Sequence, residues 1–127
     1  MRVLIVSPDP AERQRAASAL HLRDEVDVVE AAGGSEAAGH LRDRTFDVLV
    51  VDGDLQPKGG FSWLYELRAE AQLHGLQRPP AIVMVAREQD RFLTDWSGAE
   101  VQVRKPVDGF EVADHVARLA DGAATGA

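Results

Sequence analysis

The chain has 127 residues, no cysteine and a formal net charge of −7 at pH 7. One compact domain accounts for that length, and the lack of thiols excludes disulfide scaffolds, thiol catalysis and cysteine-ligated zinc or iron–sulfur sites. The arginines are scattered, at positions such as Arg13, Arg42, Arg68 and Arg91, so the acidic surface offers no basic patch and no direct nucleic-acid partner is expected.

Residues 2–6 form a short apolar, β-branched run, the pattern of a strand buried on both faces. Ser7-Pro8-Asp9-Pro10 follows, with Asp9 placed to cap a helix and Pro10 in its first turn, where a missing N–H costs nothing. That helix is expected over about residues 10–20. Residues 26–30 alternate in part and read as a second strand at an edge. Ala31-Ala32-Gly33-Gly34-Ser35 reads as a turn ending in a cap at Ser35, and Ala37, Ala38 and Leu41 give the next helix its apolar face. Residues 46–52 make the strongest strand signal, an apolar run that ends abruptly in the carboxylate of Asp52.

After a loop over residues 53–60, Phe61, Leu64, Leu67 and Ala71 recur at helical spacing, and His74-Gly75 closes the helix. Pro79-Pro80 introduces a third apolar strand over 81–85. A short, poorly patterned helix fits between Arg87 and Trp96, residues 100–104 form a weak strand, and Phe110, Ala113, Val116 and Leu119 supply one face of a closing helix. The domain is expected to span 1–120, with 121–127, which lack any large apolar side chain, as a flexible tail or linker.

Strand and helix alternate about five times, which calls for a five-stranded parallel sheet with helices on both faces and right-handed crossovers. In such sheets the functional crevice lies at the carboxyl ends of the strands. That singles out residues 7–9, 52–54, 86–87 and Lys105. The opening apolar run is too short for a signal peptide, and no stretch approaches the ~18 apolar residues of a membrane span. A soluble, cytoplasmic protein without a membrane partner is therefore expected.

Several chemistries find no footing. The first strand leads into Ser7-Pro8 rather than a glycine-rich phosphate cradle, and Gly59-Gly60 comes too late in its loop and reads as a turn before a helix. His21, His40, His74 and His115 lie far apart, with no i, i+4 pair, and read as helix-face or helix-end residues. Trp63 and Trp96 read as packing residues, either of which can also anchor a partner. Asp52 differs: it emerges from a buried strand at the functional edge, and Lys105, fixed by Pro106, emerges from the last strand of the same sheet. A carboxylate and an ammonium placed there form an ion pair.

Phe46-Asp47-Val48-Leu49-Val50-Val51-Asp52 with Gly60 eight residues on, Gly98-Ala99, and Val103-Arg104-Lys105-Pro106 together resemble the response-regulator receiver family of two-component systems, over almost the whole chain. The resemblance implies a flavodoxin-like fold and a signalling role rather than an enzyme's. It implies that the residue at position 52 takes a phosphoryl group from a histidine kinase. Magnesium is then held by that aspartate, an acidic pair after the first strand and a backbone carbonyl two residues beyond the acceptor. It further implies a Ser or Thr ending the fourth strand, the lysine at 105, and a Tyr or Phe on the fifth strand that changes rotamer on switching.

This chain departs from that pattern at most positions. Ser7 and Pro8 stand where the acidic pair is expected, Ala86 where the hydroxyl is expected and Gln102 where the aromatic is expected. The usual proline four residues after the acceptor is displaced, with Gln56 there and Pro57 next. Each unit charge removed from about 4 Å is worth on the order of 4 kcal/mol at an effective dielectric of about 20. No metal is expected; Asp52, Asp54 and Asp9 are the only carboxylates close enough in sequence to rescue a site, and Asp9 is read as the helix cap. The resulting expectation is an atypical receiver with Asp52 and Lys105 as a structural pair, acting as a protein-interaction module through residues 87–120 on an output protein, a kinase or a second copy. One alternative is a conventional magnesium-dependent phosphoacceptor at Asp52; another is a small-molecule-binding domain on the same sheet.

Overall fold

The computed structural model describes residues 1–88 and 91–125. Its strands are β1 (Arg2–Val6), β2 (Asp27–Ala31), β3 (Val48–Asp52), β4 (Ala81–Val85) and β5 (Val101–Arg104). The helices are α1 (Pro10–Ala17), α2 (Gly34–Asp43), α3 (Gly60–Leu73), α4 (Arg91–Ser97) and α5 (Gly109–Thr125), with a 3-10 turn at Leu20–Leu22. All pairings are parallel, in the order β2-β1-β3-β4-β5, so β2 is an edge strand as its partial alternation suggests.

The strand period of two divides the core into two layers. Val3, Ile5, Val48, Val50, Ile82 and Met84 meet α1, the 3-10 turn after it and α5 through Ala16, Leu20, Val112 and Val116. Leu4, Val6, Leu49, Val51 and Val83 meet the other face through Ala37, Phe61 and Leu64. Strands buried on both sides explain why β1, β3 and β4 are nearly pure apolar runs. No helix of the described residues is long and apolar enough to cross a membrane.

Local boundaries differ from the sequence reading where side chains decide them. Asp9 caps α1 as expected, its carboxylate accepting from the Ala11 N–H at 2.9 Å, but α1 ends at Ala17 rather than near Leu20, and the Ser18 hydroxyl bonds back to the Arg15 carbonyl. Ser35 is not the cap of α2: the helix starts two residues earlier, at Gly34, with Gly33 as N-cap. Gly33 has no side chain to cap with; instead Glu36, in the first turn, reaches back past the N-cap to accept from the Ala32 N–H at 3.0 Å. Phe110 is not a core residue of α5. It lies in the first turn and is 67% exposed, while Val112 joins Ala113 and Val116 on the buried face. The boundary expected at residue 120 falls inside α5, which continues to Thr125; residues 126 and 127 of the expected tail lie outside the described residues.

Candidate functional site

Parallel pairing brings the carboxyl ends of four strands together. Val6 lies opposite Val51, Asp52 opposite Met84 and Val85 opposite Arg104, so Ser7, Asp52, Ala86 and Lys105 leave the sheet at one edge. Backbone bonds extend the ladders into the loops: Ser7 N–H donates to Ala31, Gly53 to Met84 and Lys105 to Val85. Each functional side chain is thus aimed from a strand end whose backbone is already paired.

Asp52 is the centre. Its side chain is 2% exposed, and both carboxylate oxygens are used. Oδ1 accepts from Lys105 Nζ at 2.6 Å and from the Asp54 N–H at 2.9 Å. Oδ2 accepts from the Ser7 hydroxyl at 2.6 Å. The Ser7 oxygen itself accepts from the Asp9 N–H at 3.1 Å, and Arg13 holds the Ser7 carbonyl. Lys105 bridges a second carboxylate, Asp54 Oδ2, at 2.7 Å.

Two of these contacts were not read from the sequence. Ser7, treated as a lost carboxylate, is a wholly buried hydroxyl that donates to Asp52; a polar residue directly after a strand buried on both faces was the available signal. Asp54 was expected to offer its backbone, yet its exposed side chain shares the lysine. Pro8 and Ala86 are exposed and bring no polar side-chain atom to Asp52. Gln102 accepts from the Thr94 hydroxyl at 3.0 Å, tying α4 to β5 where the resemblance calls for an aromatic ring. Trp63 is partly buried against the core as expected, whereas Trp96 stacks on Tyr65, ring centroids 4.4 Å apart.

The residues present do not match the donor set of the family's magnesium site. Magnesium needs near-octahedral oxygen ligands, usually carboxylates and waters. Here the Asp9 carboxylate caps α1, the Ser7 hydroxyl donates its hydrogen bond to Asp52, and the Lys105 ammonium lies directly on both remaining carboxylates. Among the described residues no group of three or more His, Asp and Glu could hold a metal ion.

Partial burial by itself lowers the pKa of the Lys105 ammonium, but its hydrogen bonds to Asp52 and Asp54 and the charges of both carboxylates outweigh burial and hold it above 10.5, the ordinary value. A cation whose pKa is higher in the folded chain contributes stability fully below its unfolded pKa and loses it as pH rises through the folded one. The unfolding free energy should therefore fall above pH 10.5, and fall less in a Lys105→Met variant. Lys58, on the surface and paired with Glu66, is the only other lysine and serves both proteins as background. Urea titrations at pH 8 and 11 measure this, and equal losses in the two proteins would contradict the assignment.

The sequence pattern described as the response regulator receiver domain matches residues 3–117. This chain belongs to the response-regulator receiver family. Among curated relatives, an uncharacterized response regulatory protein of Mycobacterium tuberculosis is 31% identical over 113 residues, covering 85% of this chain and 82% of that protein. Among solved structures, the receiver domain of the Francisella response regulator 1452 superposes with a TM-score of 0.80 at 23% identity, covering 94% of this chain and 96% of that one. The chemotaxis response regulator CheY4 of Vibrio cholerae gives 0.78 at 22% identity, covering 93% and 97%. The structural likeness concerns the fold, the five-stranded flavodoxin-like receiver architecture. The receiver of a two-component system is a signalling module.

Proposed function

We propose that this receiver is an atypical one, a protein-interaction module whose output is set by its partner or its abundance rather than by aspartyl phosphate. One observation carries the reading: Asp52 is satisfied from within, its charge paired with Lys105 at one oxygen and its other oxygen accepting from the Ser7 hydroxyl. Phosphoryl transfer to a carboxylate brings two anions together, so it depends on cations placed to offset the charge that develops. At this edge Lys105 is committed to two carboxylates, the acidic pair is replaced by Ser7-Pro8, and no hydroxyl stands at Ala86. Magnesium has no part in the proposed function.

The partner surface is assigned to the described part of residues 87–120. Phe92 is 74% exposed and Trp96 and Phe110 are also exposed, in a chain with few aromatics, and aromatic side chains dominate the energetics of protein interfaces. The partner is a protein, whether an output protein, a kinase or a second copy.

The deciding experiment is incubation of the protein with magnesium and a small-molecule phosphodonor, followed by intact mass. No phosphoryl adduct is expected. An adduct that disappears in an Asp52→Asn variant would overturn the proposal and restore conventional phosphorelay at Asp52.

A further inference from the structure

At the end of the sheet away from Asp52, the C-terminal half of α3, the loop before β4 and the turn between α4 and β5 form an open cavity of about 360 Å³, lined by Arg68, Gln72, Leu76, Gln77, Arg78, Gly98 and Glu100. We propose that this cavity binds a small oxyanion, a phosphate or carboxylate group, between the guanidiniums of Arg68 and Arg78.

The two arginines also serve α4. Arg68 Nη2 donates to the Trp96 carbonyl at 3.3 Å, and Arg78 donates to Ser97 at 3.2 Å and to Pro79 at 2.9 Å. Trp96 and Ser97 offer neutral carbonyls at the C-terminal end of α4, a favourable place for cations, and Pro79 offers one in the loop before β4; among the described residues Arg68, over the Tyr65 ring at 5.6 Å, has no carboxylate paired with it. Glu100 is the one carboxylate on the cavity wall. It lies 3.8 Å from Arg78 and already accepts from the Ala81 N–H at 2.6 Å. The Arg78 side chain is only 5% exposed, and its buried Nε has no hydrogen-bond partner.

Gly98 is what lets the two cations come so close. Its φ is +77°, and a Cβ there would collide with the Arg68 guanidinium and sit 3.3 Å from Arg78 Nη2. Burial lowers the pKa of Arg78; Glu100 raises it and the like charge of Arg68 lowers it again, yet a guanidinium stays cationic. Two cations and one carboxylate around a polar-lined cavity form a local surplus of positive charge on a chain of net charge −7. Planar guanidinium forks match the paired oxygens of phosphate and carboxylate, and the amides of Gln72 and Gln77 supply further donors.

The test uses the whole chain in a 1H–15N NMR titration with inorganic phosphate and, separately, with succinate, at constant ionic strength. Saturable shifts of the Gly98 amide, the Gln72 and Gln77 side-chain amides and the Arg68 Nε–H are expected. Binding should weaken at least tenfold in Arg68→Gln and in Gln72→Glu; the second places a carboxylate at the exposed rim and leaves both arginines in place. A response to phosphate alone assigns a phosphate-bearing ligand, and a response to succinate alone a carboxylate. No saturable shift with either, or affinity unchanged in Gln72→Glu, which would mean an adventitious ion only, overturns the site.

Discussion

Replacing Lys105 by Met is expected to cost roughly 3–5 kcal/mol of unfolding free energy, because it leaves the buried Asp52 carboxylate without its cation. The pair is short, 2.6 Å, and both members are shielded, with 2% of the Asp52 side chain and 15% of the Lys105 side chain exposed. Asp54 is the internal comparison. It meets the same ammonium at 2.7 Å but is 70% exposed, so Asp54→Asn should cost about 0–1 kcal/mol, as surface pairs do. In the double variant Lys105→Met with Asp52→Leu, where no charge is left buried, much of the loss should return. Urea unfolding of the four proteins forms the measurement. If Lys105→Met and Asp54→Asn cost the same, Lys105 is a surface lysine in solution and the internal neutralisation of Asp52 fails with it.

Gly60→Ala should be as damaging, by at least about 3 kcal/mol, for a steric reason. Gly60 begins α3 directly beneath the end of β3, and a Cβ there would collide with the Asp52 carbonyl oxygen and come within 3.0 Å of Val51 Cγ1. Backbone on one side and a wholly buried strand on the other cannot yield cheaply. Gly122 in α5 has nothing within 4 Å of its would-be Cβ, so Gly122→Ala should be neutral or stabilising by up to about 1 kcal/mol, the ordinary helix preference for alanine. Thermal and denaturant unfolding of the two variants separates close approach from glycine flexibility as the reason for Gly60. A Gly60→Ala protein as stable as the parent would show that α3 can slide, and with it the loop that presents Asp54 to Lys105.

The spacing of eight residues between Asp52 and Gly60 was visible as a motif, but its meaning was not. The same holds for Gly98, visible beside Ala99 and now seen to admit two guanidiniums. Trp96 was read as packing, yet its partner is the exposed ring of Tyr65 on α3 rather than the core. In each case the sequence marked the residue, and a contact formed only in the folded chain gave the reason.

Apolar patterning alone was enough for the five βα units, the edge position of β2 and the convergence of Asp52 and Lys105. It was enough because strands buried on both faces must be written as apolar runs, and because right-handed parallel crossovers leave all strand ends at one edge. That Ser7 donates to Asp52, that Asp54 shares the lysine, that Phe110 faces outward, and that Arg68 and Arg78 meet across Gly98 came from packing in three dimensions. Those outcomes depend on rotamers and on register between segments far apart in the chain, 45 residues for Ser7 and Asp52 and 51 for Asp54 and Lys105. Local pattern carries no record of such pairings, since each side chain satisfies its charge or its hydrogen bond only with whatever the fold brings within reach.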